Sequence, residues 1–501
     1  MSDLLPNSAS NIPSLSGPEL PIAEAMAGTM PLFLPESRID FARIRSTFAI
    51  ALHMHQPLIP AGTADSLAAA PVISNLQFMF EHPQIQDAHN AAPFLHCYQR
   101  MAELVPQLLS DGNEPRVMLD YSGCLLHGLR RMGADDAMAA LRHLANDSAC
   151  RRCVEWLGTA WGHAVAPSTP PRDFRRHVRA WQHQFVADFG LESLARVRGF
   201  APPEMALPNH PDICYGFVLT LRDCGYRWVL VQEHTVEQAE DGGSVRQPHV
   251  PHRLIAQNSR GEQAGIIAII KTHGSDTKLI GQMQPYAEAQ GLPRAQLGTK
   301  LVPQLVTQIG DGENGGVMMN EFPSAFIQAM RASSGSQTPA MNVTEYLEHL
   351  AAAGVGEADL PGVRPLFHKR IFDRLGEGGD PQKLESVIAE LRSEDPRFHV
   401  EGGSWTSDIS WVRGYEAVLT PMESASAALA AAERDGLTAS DPRHREAMFH
   451  LLICQTSCFR YWGEGLWADR GRELCCRAIA ALNRAPEHLN DRVTSAPGAG
   501  F

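Results

Sequence analysis

Residues 46–57 read STFAIALHMHQP. A short apolar run ends in His53, His55 and Gln56, and Pro57, which cannot donate to a strand ladder, stops it. Side chains alternate along a strand, so His53 and His55 share one face. Similar runs recur at 116–122 (RVMLDYS), 199–206 (GFAPPEMA), 227–234 (RWVLVQEH), 264–273 (AGIIAIIKTH) and 315–323 (GGVMMNEFP). Between them lie stretches with helical periodicity, such as 91–109 and 171–189. Short apolar strands alternating with amphipathic helices call for a parallel sheet with helices outside it, as a barrel or an open doubly wound sheet. The run ends discriminate. In a barrel, chemistry gathers at the C-terminal strand ends, and there stand His53, His55, Gln56, Glu204, Gln232, Glu233, His234, His273 and Asp311. Neither GxGxxG nor a P-loop follows the first run, which disfavours a dinucleotide or nucleotide site. The pattern predicts an α/β barrel.

The rest of the chain sets bounds on this reading. Hydrophobic residues at 44% and charged residues at 20% exclude a mainly disordered chain. No uncharged apolar run approaches the ~18 residues of a membrane span. The formal net charge of −13 works against nucleic acid or an acidic membrane surface as a partner. Ten cysteines, mostly in apolar or helical stretches, fit free thiols in a reducing cytoplasm. Cys150 and Cys153, in CRRC, have metal or redox spacing, but no second CxxC follows, and the pair reads as incidental. The N-terminal stretch has neither the basic start nor the apolar core of a secretory signal, so no export is expected. Residues 1–44 read as a loosely ordered tail, 45–335 as the barrel, and 336–501 as a mainly helical region with long helices near 423–436 and 444–457.

Four groups could carry chemistry. His53 and His55 can hold a metal or line a polar pocket. Trp161 and His163 sit in a Gly-rich loop after the strand-like EWLG. Glu204 follows a Pro-Pro turn that can fix a carboxylate at a barrel mouth. Asp311 and Glu313 lie in DGEN, read as a loop before the run at 315–323; the segment lacks the ligand ladder of a calcium loop. Two carboxylates from two strand ends are what glycosidic cleavage needs, one to attack the anomeric carbon and one to protonate the leaving oxygen. Aromatic faces for stacking sugars are available in Trp161, Trp405, Trp411, Tyr461 and Trp462.

Taken in order, these segments resemble glycoside hydrolase family 57, whose members act on α-glucans. The resemblance rests on His55-Gln56-Pro57, Gly162-His163, Glu204 in PPEMA, Asp311 in DGEN and Gly403-Ser404-Trp405, over roughly residues 48–465. It implies an incomplete (β/α)7 barrel followed by a helical region that helps close the cleft. It also implies a retaining reaction with Glu204 as nucleophile, Asp311 as general acid/base, and no required metal or cofactor. His53, His55, Gln56, His163, His234, His273 and the aromatic residues would contact an α-glucan or maltooligosaccharide. Two positions depart from the family pattern: Ala201 where a Trp commonly precedes the nucleophile, and Cys458 where the late segment usually has an acid.

Within that frame hydrolysis, glucan transfer and branching share one mechanism, and amylase-like hydrolysis is the leading expectation. A different class, a metal-dependent deacetylase or mannosidase on a related barrel, would use His53 and His55 as ligands with a carboxylate, and no strand-end Asp is read beside them. A third reading is a sugar-binding protein that has lost turnover.

Overall fold

The computed structural model describes residues 12–484 except 14, 18, 86, 273–277, 314–319, 407, 411 and 462–463. Seven parallel strands form its centre: β1 (Ser46–Met54), β2 (Val117–Tyr121), β3 (Val154–Leu157), β4 (Gly199–Phe200), β5 (Trp228–Gln232), β6 (Gln263–Lys271) and β7 (Gln304–Asp311). β1 pairs with β2 on one side and β7 on the other, and β2 pairs with β3. β4 pairs with β5, and β5 with β6. The ring closes through two thin seams, a bridge from Gly158 to Phe200 and a contact of Lys271 with Thr307. The result is a (β/α)7 barrel.

β1 shows why these residues make a barrel wall. Every residue of the strand is buried, as expected where helices cover the outside and side chains fill the lumen. Phe48, Ile50, Leu52 and Met54 pack outward into the shell against the helices. Ala49 and Ala51 face the lumen with Met118, Leu157, Ala201, Leu230, Ile269 and Ile309, where small residues suit a narrow barrel. His53 continues the lumen-facing series, one layer higher.

The seventh strand is not the run expected. Residues 314–319 of the segment at 315–323 lie outside the described residues, and Phe322–Ser333 is a helix. The strand is Gln304–Asp311, whose Thr307 and Gln308 made it look less apolar than it is buried. Asp311 is therefore the last residue of a strand, and its loop follows that strand instead of preceding one.

Helices α1 (Asp135–Asn146) and α2 (Pro171–Phe189) cover the barrel. Pro171 starts α2 without losing a needed N–H, and Gly190, at φ 90°, ends it. Part of the stretch read as a tail is ordered: Glu19–Ala27 is a helix that buries Ile22 and Met26. Helix α3 (Val343–Ala352) plugs the end of the barrel where the strands begin. There Arg116 meets Glu345 at 2.7 Å, Trp228 donates to Thr344 at 2.9 Å, and Glu155 accepts from the Thr344 amide at 3.0 Å. Burial drives Glu155 up to about 8.

The later chain contains the long helices α4 (Glu416–Arg434), α5 (Pro442–Cys454) and α6 (Gly465–Leu482), which pack together. It is not wholly helical, because Gly362–Pro365 is a strand that joins His252–Gln257 and Val236–Gln238 in an arm of the sheet beside β6. None of the described helices is long and apolar enough to cross a membrane.

The Arg116–Glu345 pair is buried on both sides, so Arg116→Ala strands a carboxylate in the interior. The expected cost is about 3–5 kcal/mol. Urea denaturation should show it as a lower midpoint at an unchanged slope.

Candidate active site

The strand ends bring the predicted polar groups together. In the barrel register His53 stands opposite Asp311 of β7 and opposite Asp120 of β2. Parallel partners in register share a face, so one imidazole sits between two carboxylates in one layer of the lumen. Its Nδ1 lies 2.7 Å from Asp120 Oδ2. This corrects the expectation that no strand-end acid accompanies the two histidines; Asp120 was visible in RVMLDYS, but its meaning depends on a register that the sequence does not print.

His55 follows β1. Its Nδ1 lies 2.7 Å from Ser122 Oγ, its Nε2 3.2 Å from Thr456 Oγ1, and its amide donates to Glu313 Oε1 at 2.9 Å. His163 stacks on it with ring centroids 4.2 Å apart and planes 11° from parallel. His53 also packs on His163, at 4.6 Å. The Gly162-His163 corner is held tightly, since a Cβ at Gly162 would lie 2.1 Å from the carbonyl oxygen of Leu452. His163 itself has φ 56°.

Glu204 also occupies the left-handed region, at φ 59° and ψ 16°, followed by Met205 at φ 51°. Residues with a Cβ avoid that region at a cost of order 1–3 kcal/mol each, and such positions concentrate at functional sites. The preceding Pro202 and Pro203 fix the approach of the chain. Trp405 anchors the residue twice, through its amide to Glu204 O at 2.9 Å and its indole N–H to Glu204 Oε2 at 2.7 Å. His163 Nδ1 lies 3.7 Å from Glu204 Oε1.

The electrostatics follow from burial and from this crowding. Burial pulls the His53 imidazolium down, but the Asp120 carboxylate, with Asp311 and Glu313, outweighs it and raises His53 to about 9. Burial and the His53 charge hold His55 and His163 well below the usual range, so both are neutral at pH 7. Burial and then the Asp311 charge raise Glu204 to about 7, against the pull of His53 and of hydrogen bonds from Ser457 and Trp405. The same two causes, burial and Asp311, raise Glu313 to about 7. Four acidic groups, Asp120, Glu204, Asp311 and Glu313, thus share a cationic imidazole and two neutral ones.

The other predicted residues divide. His234 reaches the Trp405 loop, its Nε2 2.9 Å from the carbonyl of Ser404. Gln56 is buried and accepts from Asn75 at 3.0 Å, in the wall beside the histidines. Trp161 is corrected: it is fully buried among Phe449, His127 and the close-packed Gly123, and presents no face to a sugar. Trp405 holds a carboxylate in addition to whatever face it offers. His273, Trp411 and Trp462 lie outside the described residues, and Tyr461 ends the helix Cys458–Tyr461.

Sequence reading missed several members of the site. Besides Asp120 and Ser122 these are Thr456 and Ser457, whose Oγ lies 2.8 Å from His163 Nδ1. Arg460 is also missed: it is fully buried, donates to Ser168, and is acted on by the Glu204 charge. Glu313 is legible beside Asp311 in DGEN, whereas nothing in TSCFR distinguishes its polar residues from an ordinary helix start.

The sequence matches no family model and no curated protein. Among solved structures the chain is similar to the 4-α-glucanotransferase of Thermococcus litoralis, with a TM-score of 0.52 and 16% identity over 88% of this chain. It spans 60% of that transferase's length. It is also similar to the GH57-type branching enzyme of Pyrococcus horikoshii, with a TM-score of 0.54 and 12% identity, over 87% of this chain and 88% of the other. At these identities the likeness is one of fold, and the fold is that of family 57 glycoside hydrolases.

Two substitutions should move the Glu204 titration in opposite directions. Trp405→Phe removes a donor that favours the carboxylate, so the Glu204 pKa should rise above about 7. Asp311→Asn removes a like charge, so it should fall below about 7. Carboxyl carbon NMR of the labelled protein reads both shifts.

Proposed function

We propose that the protein is a retaining glycosidase or transglycosidase acting on α-glucan, with hydrolysis favoured over transfer or branching. The observation that carries the reading is Glu204: a buried carboxylate on a strained left-handed backbone, doubly held by Trp405 and within the field of Asp311. Such restraint fixes an attacking oxygen before the substrate arrives. The fold it shares with a glucanotransferase and a branching enzyme supports the α-glucan assignment.

In the first step the Glu204 carboxylate bonds to the anomeric carbon as the bond to the leaving oxygen breaks, and Asp311 gives its proton to that oxygen. In the second, Asp311 takes a proton from water, whose oxygen bonds to the anomeric carbon and releases Glu204. A sugar hydroxyl in place of that water gives transfer. The buried Nε2 atoms of His53 and His163 have no hydrogen-bond partner among the described residues, and sugar hydroxyls would supply one. The net charge of −13 suits a neutral glycan better than a nucleic acid.

One observation favours a second reading. Asp120 behind His53 Nδ1, with Nε2 left open, is how a carboxylate backs a metal-ligating imidazole in a deacetylase or mannosidase. A metal there would have to displace a proton that the charges of Asp120, Asp311 and Glu313 hold on His53, raised to about 9. Incubation with maltoheptaose and amylose, with and without a chelator, separates the two. Shortened products, unaffected by chelation, are expected; activity lost on chelation and restored by zinc would establish the second reading instead. Longer products beside the shorter ones would mark transfer.

The roles of the two carboxylates are separable. Glu204→Ala should lower turnover by several orders of magnitude and form no glycosyl-enzyme. Asp311→Ala, given an activated leaving group, should accumulate the intermediate, and azide should then release an α-glycosyl azide of retained configuration. A sugar adduct on a residue other than Glu204, read by mass spectrometry, would reverse the assignment.

A further inference from the structure

We propose that His143, Asp147 and Cys150 form a binding site for one transition-metal dication of the zinc class, at the end of the barrel opposite the active site. His143 lies in the last turn of α1, Asp147 is the residue that ends that helix, and Cys150 lies in the turn that leads into β3 at Val154. One donor atom from each side chain comes within 4.8 Å of the other two. Cys150 Sγ lies 3.8 Å from His143 Nε2. Zinc bonds of about 2.3 Å to sulfur and about 2.0–2.1 Å to nitrogen, at a tetrahedral angle, put those two atoms about 3.6 Å apart.

The arrangement is built by the backbone. Asp147 Oδ1 accepts from the amides of Ala149 at 2.9 Å and Cys150 at 3.0 Å, which bends the chain back toward α1. The Cys150 carbonyl in turn accepts from Cys153 at 2.8 Å and Val154 at 3.0 Å, which carries the bend into the strand. These bonds orient the ligands in the way outer-shell contacts do in metal proteins. Cys153 is not a fourth donor: its Sγ faces Arg116 Nη1 at 3.8 Å, beside the buried Arg116–Glu345 pair. The CxxC spacing therefore splits into one thiol for this site and one for the barrel base, and the incidental reading of the motif is revised for Cys150.

The donor set decides the ligand class. Thiol, imidazole and carboxylate together suit zinc, cobalt or nickel, whereas calcium and magnesium want oxygens alone. Three protein donors leave one position for water, and exposed His143 gives the ion a way in. As the sulfur–metal bond forms, the thiol proton of Cys150 passes to solvent. The ligands lie where β3 begins, away from the strand ends that carry the chemistry, so the ion would act as a clip between α1 and β3.

The test uses the full chain, stripped with a chelator and titrated with zinc or cobalt. One ion per chain, a sulfur-to-cobalt charge-transfer band and a higher Tm in zinc are expected. His143→Ala, at an exposed position, should remove the band and weaken binding by at least ~10-fold while leaving turnover of α-glucan unchanged. Cys150→Ser should also remove the band, and Cys153→Ser should keep it. No stoichiometric ion in the wild-type chain, or a band that survives His143→Ala, or one that Cys153→Ser abolishes, would overturn the site.

Discussion

The site depends on the register of one strand. β1 lies between β2 and β7, and the two pairings place His53 level with Asp120 on one side and Asp311 on the other. A one-residue slip in either pairing would turn a carboxylate out of the lumen and leave a buried imidazole without its counter-charge. The register is fixed lower down, where Ala49 and Ala51 fill the lumen and Phe48, Ile50 and Leu52 fill the shell. Packing that carries no chemistry thus sets the electrostatics of the layer above it. From His53 the consequences spread: its charge adds to the burial that keeps His55 and His163 neutral, and it opposes the rise of Glu204.

How much of this was legible follows from the physics of each element. β1, β2, β5 and β6 announce themselves because strands buried on both faces are almost continuously apolar. β7 does not, since it carries Thr307 on its lumen face and Gln308 on its outer face; Gln308 reaches the Thr272 carbonyl at 2.7 Å. The polar residues at strand ends were readable one at a time, which is why His53, His55, His163, Glu204 and Asp311 could be named. Asp120 was not, because an acid at a strand end gains meaning only from its neighbour across the ladder. Trp161 illustrates the converse: an indole in a Gly-rich loop reads as a binding platform, yet it packs into the core against Gly123, outside that loop. Gly123 has no room for a Cβ because Trp161 occupies that space.

The later part of the chain contributes to the site more than its helical pattern suggests. Thr456 meets His55, Ser457 meets His163, and Trp405 holds Glu204. Each contact joins residues at least 200 positions apart in sequence. The backbone strain at Glu204 needs such partners, because a left-handed glutamate persists only where its surroundings over-determine it. The two prolines before it restrict the chain on the barrel side, and the Trp405 bonds restrict it on the other.

That division assigns different work to the two halves of the chain. The barrel supplies the charges, through residues whose positions its register dictates. The segments around 404–405 and 456–460 supply the hydrogen bonds that lower the cost of ionising Glu204 in a buried place. Burial and Asp311 push that carboxyl toward its neutral form, whereas the attack proposed for it needs an ionised oxygen. The balance near pH 7 therefore depends on contacts from outside the barrel, and a barrel folded without them would hold a more protonated Glu204. The departure at Cys458 fits this account. Its thiol, half-buried beside the Glu204 charge, is raised to about 12 by desolvation and that charge, so it stays neutral where an acid would add a further negative charge. With Asp120, Asp311 and Glu313 already present, a neutral residue there keeps Glu204 within reach of ionisation, as the role proposed for it requires.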